Sequence, residues 1–147
     1  MNLSAALRDS YLTNGLSDDE VRKIEAVSEV VEFNDLDEII REFDEACDVF
    51  IIVEGKARVA TSTGDLITRL QPGAIVGESA LFSREMRTAS VLCDGDAKVV
   101  KIRGDELNAL LDAEPAIGVK VLRNVGGTLC AHLRSSNFQL ETVLSVL

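Results

Sequence analysis

The sequence predicts a mostly β fold: an antiparallel β-roll of the jelly-roll type, also called a double-stranded β-helix, with flanking helices. Between residues 30 and 103, short runs of β-branched residues such as Val49–Val53 and Lys98–Ile102 alternate with turn-forming residues. These runs recur at intervals of roughly ten residues, which is typical of antiparallel rolls and barrels. No helical pattern in this stretch is long enough to connect two parallel strands, so a parallel α/β sheet is not expected.

Residues 1–29 are predicted to form a helical segment before the roll. Leu3, Ala6 and Leu7 have the spacing of one face of a short helix. Residues 17–20, Ser-Asp-Asp-Glu, have the pattern of a capping box, in which each end side chain accepts a hydrogen bond from the other residue's backbone amide. A second helix is therefore expected from Asp18 to about Val27.

Residues 104–147 are predicted to form helices after the roll. Asp105–Leu111 has helical composition, and Pro115 suits the first turn of a longer helix. In that helix apolar residues recur every four positions: Val121, Val125, Leu129 and Leu133. The roll, the same helix of a second chain, or both over different lengths would cover this face, and we expect a homodimer. The pair Gly126-Gly127 indicates a kink, a close helix crossing or a hinge.

Composition narrows the function. At 147 residues, with 46% hydrophobic and 27% charged residues, the chain fits one globular domain. A formal net charge of −10 disfavours direct binding to nucleic acid. The three widely spaced cysteines are expected to be reduced, mostly buried thiols. No segment has the roughly 18 apolar residues that span a bilayer, so we expect a cytoplasmic protein that does not contact the membrane.

Catalysis is not expected. The chain has a single histidine, so a multi-histidine metal site cannot be assembled, and we do not expect this histidine to activate a nucleophile. We therefore expect neither an enzyme nor a resident metal or cofactor.

The stretch from residue 72 to residue 91 carries the functional pattern. Gly77 permits a left-handed backbone, and the residues after it suit one helical turn whose free amides attract an anion. Arg87 adds a forked donor suited to phosphate. Glu78 would repel a bare phosphate, but it suits a sugar hydroxyl. Together these residues predict a ligand with a ribose and a phosphate, although singly they would also suit an ion pair.

At these residues the sequence resembles the cyclic nucleotide-binding domain family, which includes the catabolite activator proteins. The phosphate-binding cassette of that family is matched by Gly77-Glu78-Ser79-Ala80-Leu81 and by Arg87-Thr88-Ala89. The resemblance implies that Glu78 binds the ribose 2′-hydroxyl and Arg87 the exocyclic phosphate oxygens. It implies that the amides of Ser79 and Ala80 and the hydroxyl of Thr88 assist. The closing helix would contact the base through residues near its middle: Thr128, His132 and Ser135.

The resemblance implies a regulatory module that binds cAMP, or alternatively cGMP, and signals through its C-terminal helix to a partner or dimer. Transcription factors of this kind continue into a DNA-binding domain, whereas this sequence ends at Leu147 without one. Two positions depart from the family pattern: Val76 replaces an aromatic residue, and the usual glycine after the first strand is absent from Phe33–Asp37. The alternative is a dimerisation or scaffold module that keeps the fold but binds no ligand.

Overall fold

The structure is a computed structural model that describes residues 2–61, 63, 65–83, 86–87 and 89–146, with side chains described as far as residue 135. Four α-helices lie at the two ends of the chain: α1 Leu3–Asp9, α2 Asp18–Glu25, α3 Gly104–Ala113 and α4 Pro115–Val146. Two 3-10 turns are Tyr11–Thr13 and Glu78–Leu81, and we call the second the cassette turn.

Eight strands of the described residues lie between the helices: β1 Ser28–Phe33, β2 Glu38–Ile40, β3 Val49–Glu54, β4 Ala57–Ala60, β5 Leu66–Leu70, β6 Ile75–Val76, β7 Ser90–Cys93 and β8 Ala97–Ile102. They form two antiparallel four-stranded sheets. The first sheet has the order β1-β8-β3-β6 and the second β2-β7-β4-β5. The predicted jelly-roll architecture with flanking helices is confirmed.

Local sequence explains how the helical segment meets the roll. The predicted capping box is present: the side chain of Ser17 accepts from the amide of Glu20, and the side chain of Glu20 accepts from the amide of Ser17. Helix α2 ends at Glu25, earlier than the expected Val27, because Val27 lies in the turn that leads into β1. Val21 and Ile24 on one face of α2 are buried, so this helix covers part of the core.

The core has two parts. One lies between the helices and the first sheet and includes Leu7, Leu12, Val100 and Leu107, and the other lies between the two sheets. Helix α4 closes the first part with three fully buried side chains: Ile117, Val121 and Val125. Leu133 was expected on the same face, but it is 62% exposed within the single chain. A spacing of four residues advances about 40° beyond a full turn each time, so the apolar stripe rotates away from the roll.

Two turns each contain a residue with a positive φ, which is a glycine in one turn and a leucine in the other. Gly55 has a φ of 86°, and a Cβ there would lie 2.4 Å from the carbonyl oxygen of Asp96, so glycine is required. Leu36 has a φ of 69° in the turn after β1, where the family pattern would have supplied a glycine. Its backbone is therefore strained.

The cysteines differ in exposure. All three are free thiols, with Cys93 buried, Cys47 half-buried and Cys130 exposed on α4, so the prediction of mostly buried thiols is wrong for Cys130.

Over the described part of the chain, none of the helices combines the length and the apolar character needed to cross a membrane.

Candidate ligand-binding site

The cassette turn begins at a glycine that no other residue could replace without rearrangement. Gly77 follows β6 and has a φ of 85°, and a Cβ there would lie 2.6 Å from the carbonyl oxygen of Asp48 and 3.1 Å from Nη1 of Arg87. The turn from Glu78 to Leu81 is thereby held against the start of β3. The amide of Ala80 donates to the carbonyl of Gly77 at 3.2 Å, whereas the amide of Ser79 has no backbone acceptor among the described residues.

Arg87 lies beneath the cassette turn and is only 8% exposed. Its Nη1 donates to the carbonyl of Gly77 at 3.1 Å, and its Nη2 donates to the carbonyl of Asp48 at 2.6 Å. Burial lowers the pKa of Arg87, and the charges of Asp48, Cys47, Asp44 and Glu78 oppose this shift. The guanidinium stays protonated, and two of its five N–H groups are used by these carbonyls.

Glu78, in contrast to Arg87, is a buried charged side chain whose hydrogen-bonding capacity is only partly used. Its Oε2 is buried and has no hydrogen-bond partner among the described residues. Burial raises the pKa of this carboxyl, while its own backbone amide and the charges of His132 and Arg87 act to lower it. Glu78 and Arg87 do not form an ion pair with each other, so the simplest alternative interpretation of this pair is wrong. The site thus holds a carboxylate oxygen that lacks a donor.

Both side chains border one cavity of about 450 Å³ between the cassette and the inner face of the second sheet. This volume is in the range of small-molecule sites. Five of the residues that the sequence singles out line it together: Gly77, Glu78, Ser79, Ala80 and Arg87. The remaining wall is largely apolar and includes Ile40, Val59, Met86 and Val91. Thr88 lies outside the described residues.

Comparison with known proteins identifies this arrangement. Residues 30–114, more than half of the chain, match the family described as the cyclic nucleotide-binding domain. The chain belongs to this family. The match includes the whole cassette and strands β2 to β8 in full. It also includes β1 from residue 30 onwards.

Individual proteins that resemble this cyclic nucleotide-binding domain are consistent with the family match. The chain is 37% identical over 93 residues to cGMP-dependent protein kinase 2 of Homo sapiens. The aligned segment covers 60% of this chain but only 12% of the kinase. A solved cyclic nucleotide-binding domain from Methylobacillus flagellatus has a TM-score of 0.80, with 21% identity over 95% of this chain and 84% of that one. The regulatory domain of Toxoplasma gondii PKA with cAMP has a TM-score of 0.70, with 23% identity over 85% of this chain and 48% of that one. The two structures show a shared fold.

The predicted base contacts of the domain lie on α4 and do not line the cavity. Thr128 is half-buried, and His132 and Ser135 are exposed. His132 is nevertheless close enough for its charge to act on the carboxyl of Glu78. Of the three residues, His132 is thus the one for which the structure gives an interaction with the cassette, and contact of all three with a base stays a prediction.

Two further residues of the domain shape the site without having been anticipated. Asp48 accepts from Arg87 through its backbone carbonyl, while its side chain accepts from the amide of Gly104 at 2.9 Å. Tyr11 has a buried hydroxyl without a partner among the described residues, and burial together with the charge of Glu78 raises its pKa. Any residue offers a backbone carbonyl, so no sequence signal marks Asp48. Tyr11 could have been noticed as the only tyrosine, in the segment before the capping box.

Proposed function

We propose that this domain is a regulatory, non-catalytic module that binds cAMP or cGMP in the cavity bordered by the cassette. The observation that carries the proposal is the buried carboxylate oxygen of Glu78, which lacks a donor and borders the same cavity as the buried guanidinium of Arg87. A buried polar atom without a partner costs folding free energy, and such atoms are retained where a ligand satisfies them. A sugar hydroxyl beside a phosphate supplies the donor for Glu78 and the anion for Arg87.

The contacts follow from which donors are already engaged. Arg87 uses two N–H groups on the carbonyls of Gly77 and Asp48, which leaves three for the exocyclic phosphate oxygens. The amide of Ser79 is also available, whereas the amide of Ala80 would share its hydrogen between the carbonyl of Gly77 and a phosphate oxygen. These two amides and the hydroxyl of Thr88 complete the proposed phosphate site. The apolar wall at Val59 and Val91 offers a surface for the base.

We propose that occupancy is transmitted through α4. This helix contacts both the cassette turn and the 3-10 turn at Tyr11–Thr13, so a movement of the cassette changes its packing. Thr128, His132 and Ser135 are the proposed contacts from α4 to the base. The ligand shifts the position of α4 only by the difference between its affinities for the two arrangements.

The output surface we propose is a homodimer through α4. Beyond the face buried on the roll, exposed apolar side chains recur at spacings typical of helix pairing: Val119, Leu122 and Leu133. Cys130 and the two glycines lie in the same region of the helix and add little bulk. A second copy of α4 would cover this stripe. The free thiols fit a reducing compartment, so we place the protein in the cytoplasm.

Calorimetric titration with cAMP, cGMP and 5′-AMP tests the ligand. We expect heat from at least one cyclic nucleotide and none from 5′-AMP, whose phosphate carries an additional charge and is not joined to the 3′ position. Absence of heat from both cyclic nucleotides at millimolar concentration would instead identify a scaffold module that keeps the fold without binding.

Sedimentation equilibrium tests the dimer separately. Replacing Leu122 and Leu133 with lysine places two charges on the exposed stripe and should convert a dimer to a monomer. Replacing Arg123 and Arg134, which are also exposed on α4, with lysine keeps the charge and serves as the control. A wild-type protein that sediments as a monomer in the presence and absence of ligand would exclude the dimer.

A further inference from the structure

A second groove lies on the outer face of the second sheet, on the side away from the cassette cavity. It has a volume of about 600 Å³, and β2, β4, β5 and β7 contribute to its lining. Its positive side chains are Arg41, Arg58 and Arg69, and its negative ones are Glu38, Glu42 and Asp94. The charges are equal in number, and Arg41 is paired with Glu38, to which it donates at 2.9 Å.

The two other arginines face each other on neighbouring strands. Arg58 on β4 and Arg69 on β5 are direct cross-strand partners. Neither guanidinium forms an ion pair or a side-chain hydrogen bond with a described residue. Like charges directly opposite each other on a sheet destabilise it. A pair of arginines at this position is therefore unfavourable in the isolated domain, and an anionic group placed between them would reverse the effect.

The edge of the sheet beside this pair is open. Among the described residues, strand β5 is the last strand of the second sheet and pairs with β4 alone. Leu66 and Ile67 on β5 are 46% and 58% exposed. An exposed apolar edge strand binds extended peptides through its free backbone groups. At the other end of the groove, Phe43 is 61% exposed with a φ of 70°, an unfavourable backbone for an aromatic residue.

We propose that this groove docks an extended, acidic segment of a partner protein, which adds to the sheet as a strand along β5 and places carboxylates against Arg58 and Arg69. The open edge favours a peptide over a nucleic acid, because only a peptide backbone continues the sheet. The overall charge of −10 also repels a long polyanion, whereas a short acidic segment meets a local positive pair. This docking does not depend on the nucleotide site.

The test uses a synthetic peptide of alternating valine and glutamate, with a lysine version as the control. Amide chemical shifts of the full chain are followed by NMR during titration. We expect saturable shifts in β4 and β5 with the glutamate peptide and none with the lysine peptide. Shifts located elsewhere, no shifts, or tighter binding of single-stranded DNA to the same amides would overturn the proposal.

Substitutions separate docking from folding and from nucleotide binding. Arg69→Thr keeps strand propensity and removes one of the opposed charges, so it should weaken the glutamate peptide by about tenfold without lowering the melting temperature. Lys98→Thr removes one charge from β8 in the other sheet and should leave peptide affinity unchanged. Equal affinity for the wild type and Arg69→Thr would refute the role of the arginines. Calorimetry with cAMP and cGMP on the same samples shows independently whether the cassette cavity is active.

Discussion

Glu78→Gln should make the unliganded domain more stable and weaken its ligand. The buried Oε2 has no donor, and burial raises the pKa of the carboxyl. A buried polar atom without a partner costs about 1–3 kcal/mol. Glutamine has the shape of protonated glutamate but no charge to desolvate, and we expect a gain in unfolding free energy of about 1–2 kcal/mol at pH 7, because some of the penalty persists in the amide.

The difference in unfolding free energy between the wild type and Glu78→Gln should depend on pH. Because the folded pKa of Glu78 lies above its unfolded value, this group favours folding most below the unfolded pKa, and that contribution is lost as pH rises through the folded pKa. The advantage of glutamine should therefore be largest above the folded pKa, shrink as pH falls through that pKa, and be lost below about 4.3, the ordinary glutamate pKa. Urea unfolding at several pH values measures it. Glu32→Gln, an exposed carboxylate on β1, should change stability by no more than about 0.5 kcal/mol.

The affinity of the same variant completes the experiment. A hydrogen bond to a carboxylate is roughly twice as strong as one to an amide, so cyclic nucleotide should bind about tenfold more weakly to Glu78→Gln. A variant that gains stability and loses affinity would support a carboxylate kept for the ligand at a cost to folding. If glutamine left the unfolding free energy at pH 7 and the affinity both unchanged, the reasoning from the unpaired oxygen would be refuted.

Three further predictions concern the backbone and the phosphate anchor. Arg87→Lys retains the charge but cannot reach both carbonyls, so it should lower the unfolding free energy by about 1.5–3 kcal/mol and weaken binding more than tenfold; denaturation and calorimetry together check this. Leu36→Gly relieves the left-handed backbone and should raise the unfolding free energy by about 1 kcal/mol, whereas a loss in thermal denaturation would contradict the strain. Gly127→Ala has open space for its Cβ and should stabilise α4 by about 1 kcal/mol; an unchanged ligand affinity in this variant would count against a hinge at the glycine pair.

Much of the fold could be predicted from local sequence because the strongest signals are local. The capping box at Ser17–Glu20 and the buried run of β3 each need only neighbouring residues to be recognised. Short or exposed strands gave no such signal: β6 has two residues, and four of the five residues of β5 are exposed, so neither shows a buried alternation. Their position depends on pairing with β3 and β4, which lies beyond a local pattern.

Some features of the candidate site could likewise be predicted from the sequence, and others could not. Gly77, Glu78 and Arg87 could be identified because each has a side-chain property, or lacks a side chain, that suits a sugar-phosphate. From the sequence, Arg87 was identified only as a ligand anchor, with no structural role. The structure corrects this, because the guanidinium is buried and joins the cassette turn to the start of β3 through two carbonyls. Backbone acceptors are invisible in a sequence, so a ligand anchor and a structural link could not be distinguished there.

Helix α4 shows how one sequence pattern serves two surfaces. Apolar residues spaced by four drift about 40° per step around an α-helix, so three steps from Val121 to Leu133 rotate the stripe by about 120°. The first part of the stripe packs on the roll, and the last part points away from it. This exposed end is the surface on which we propose that a second copy of α4 packs.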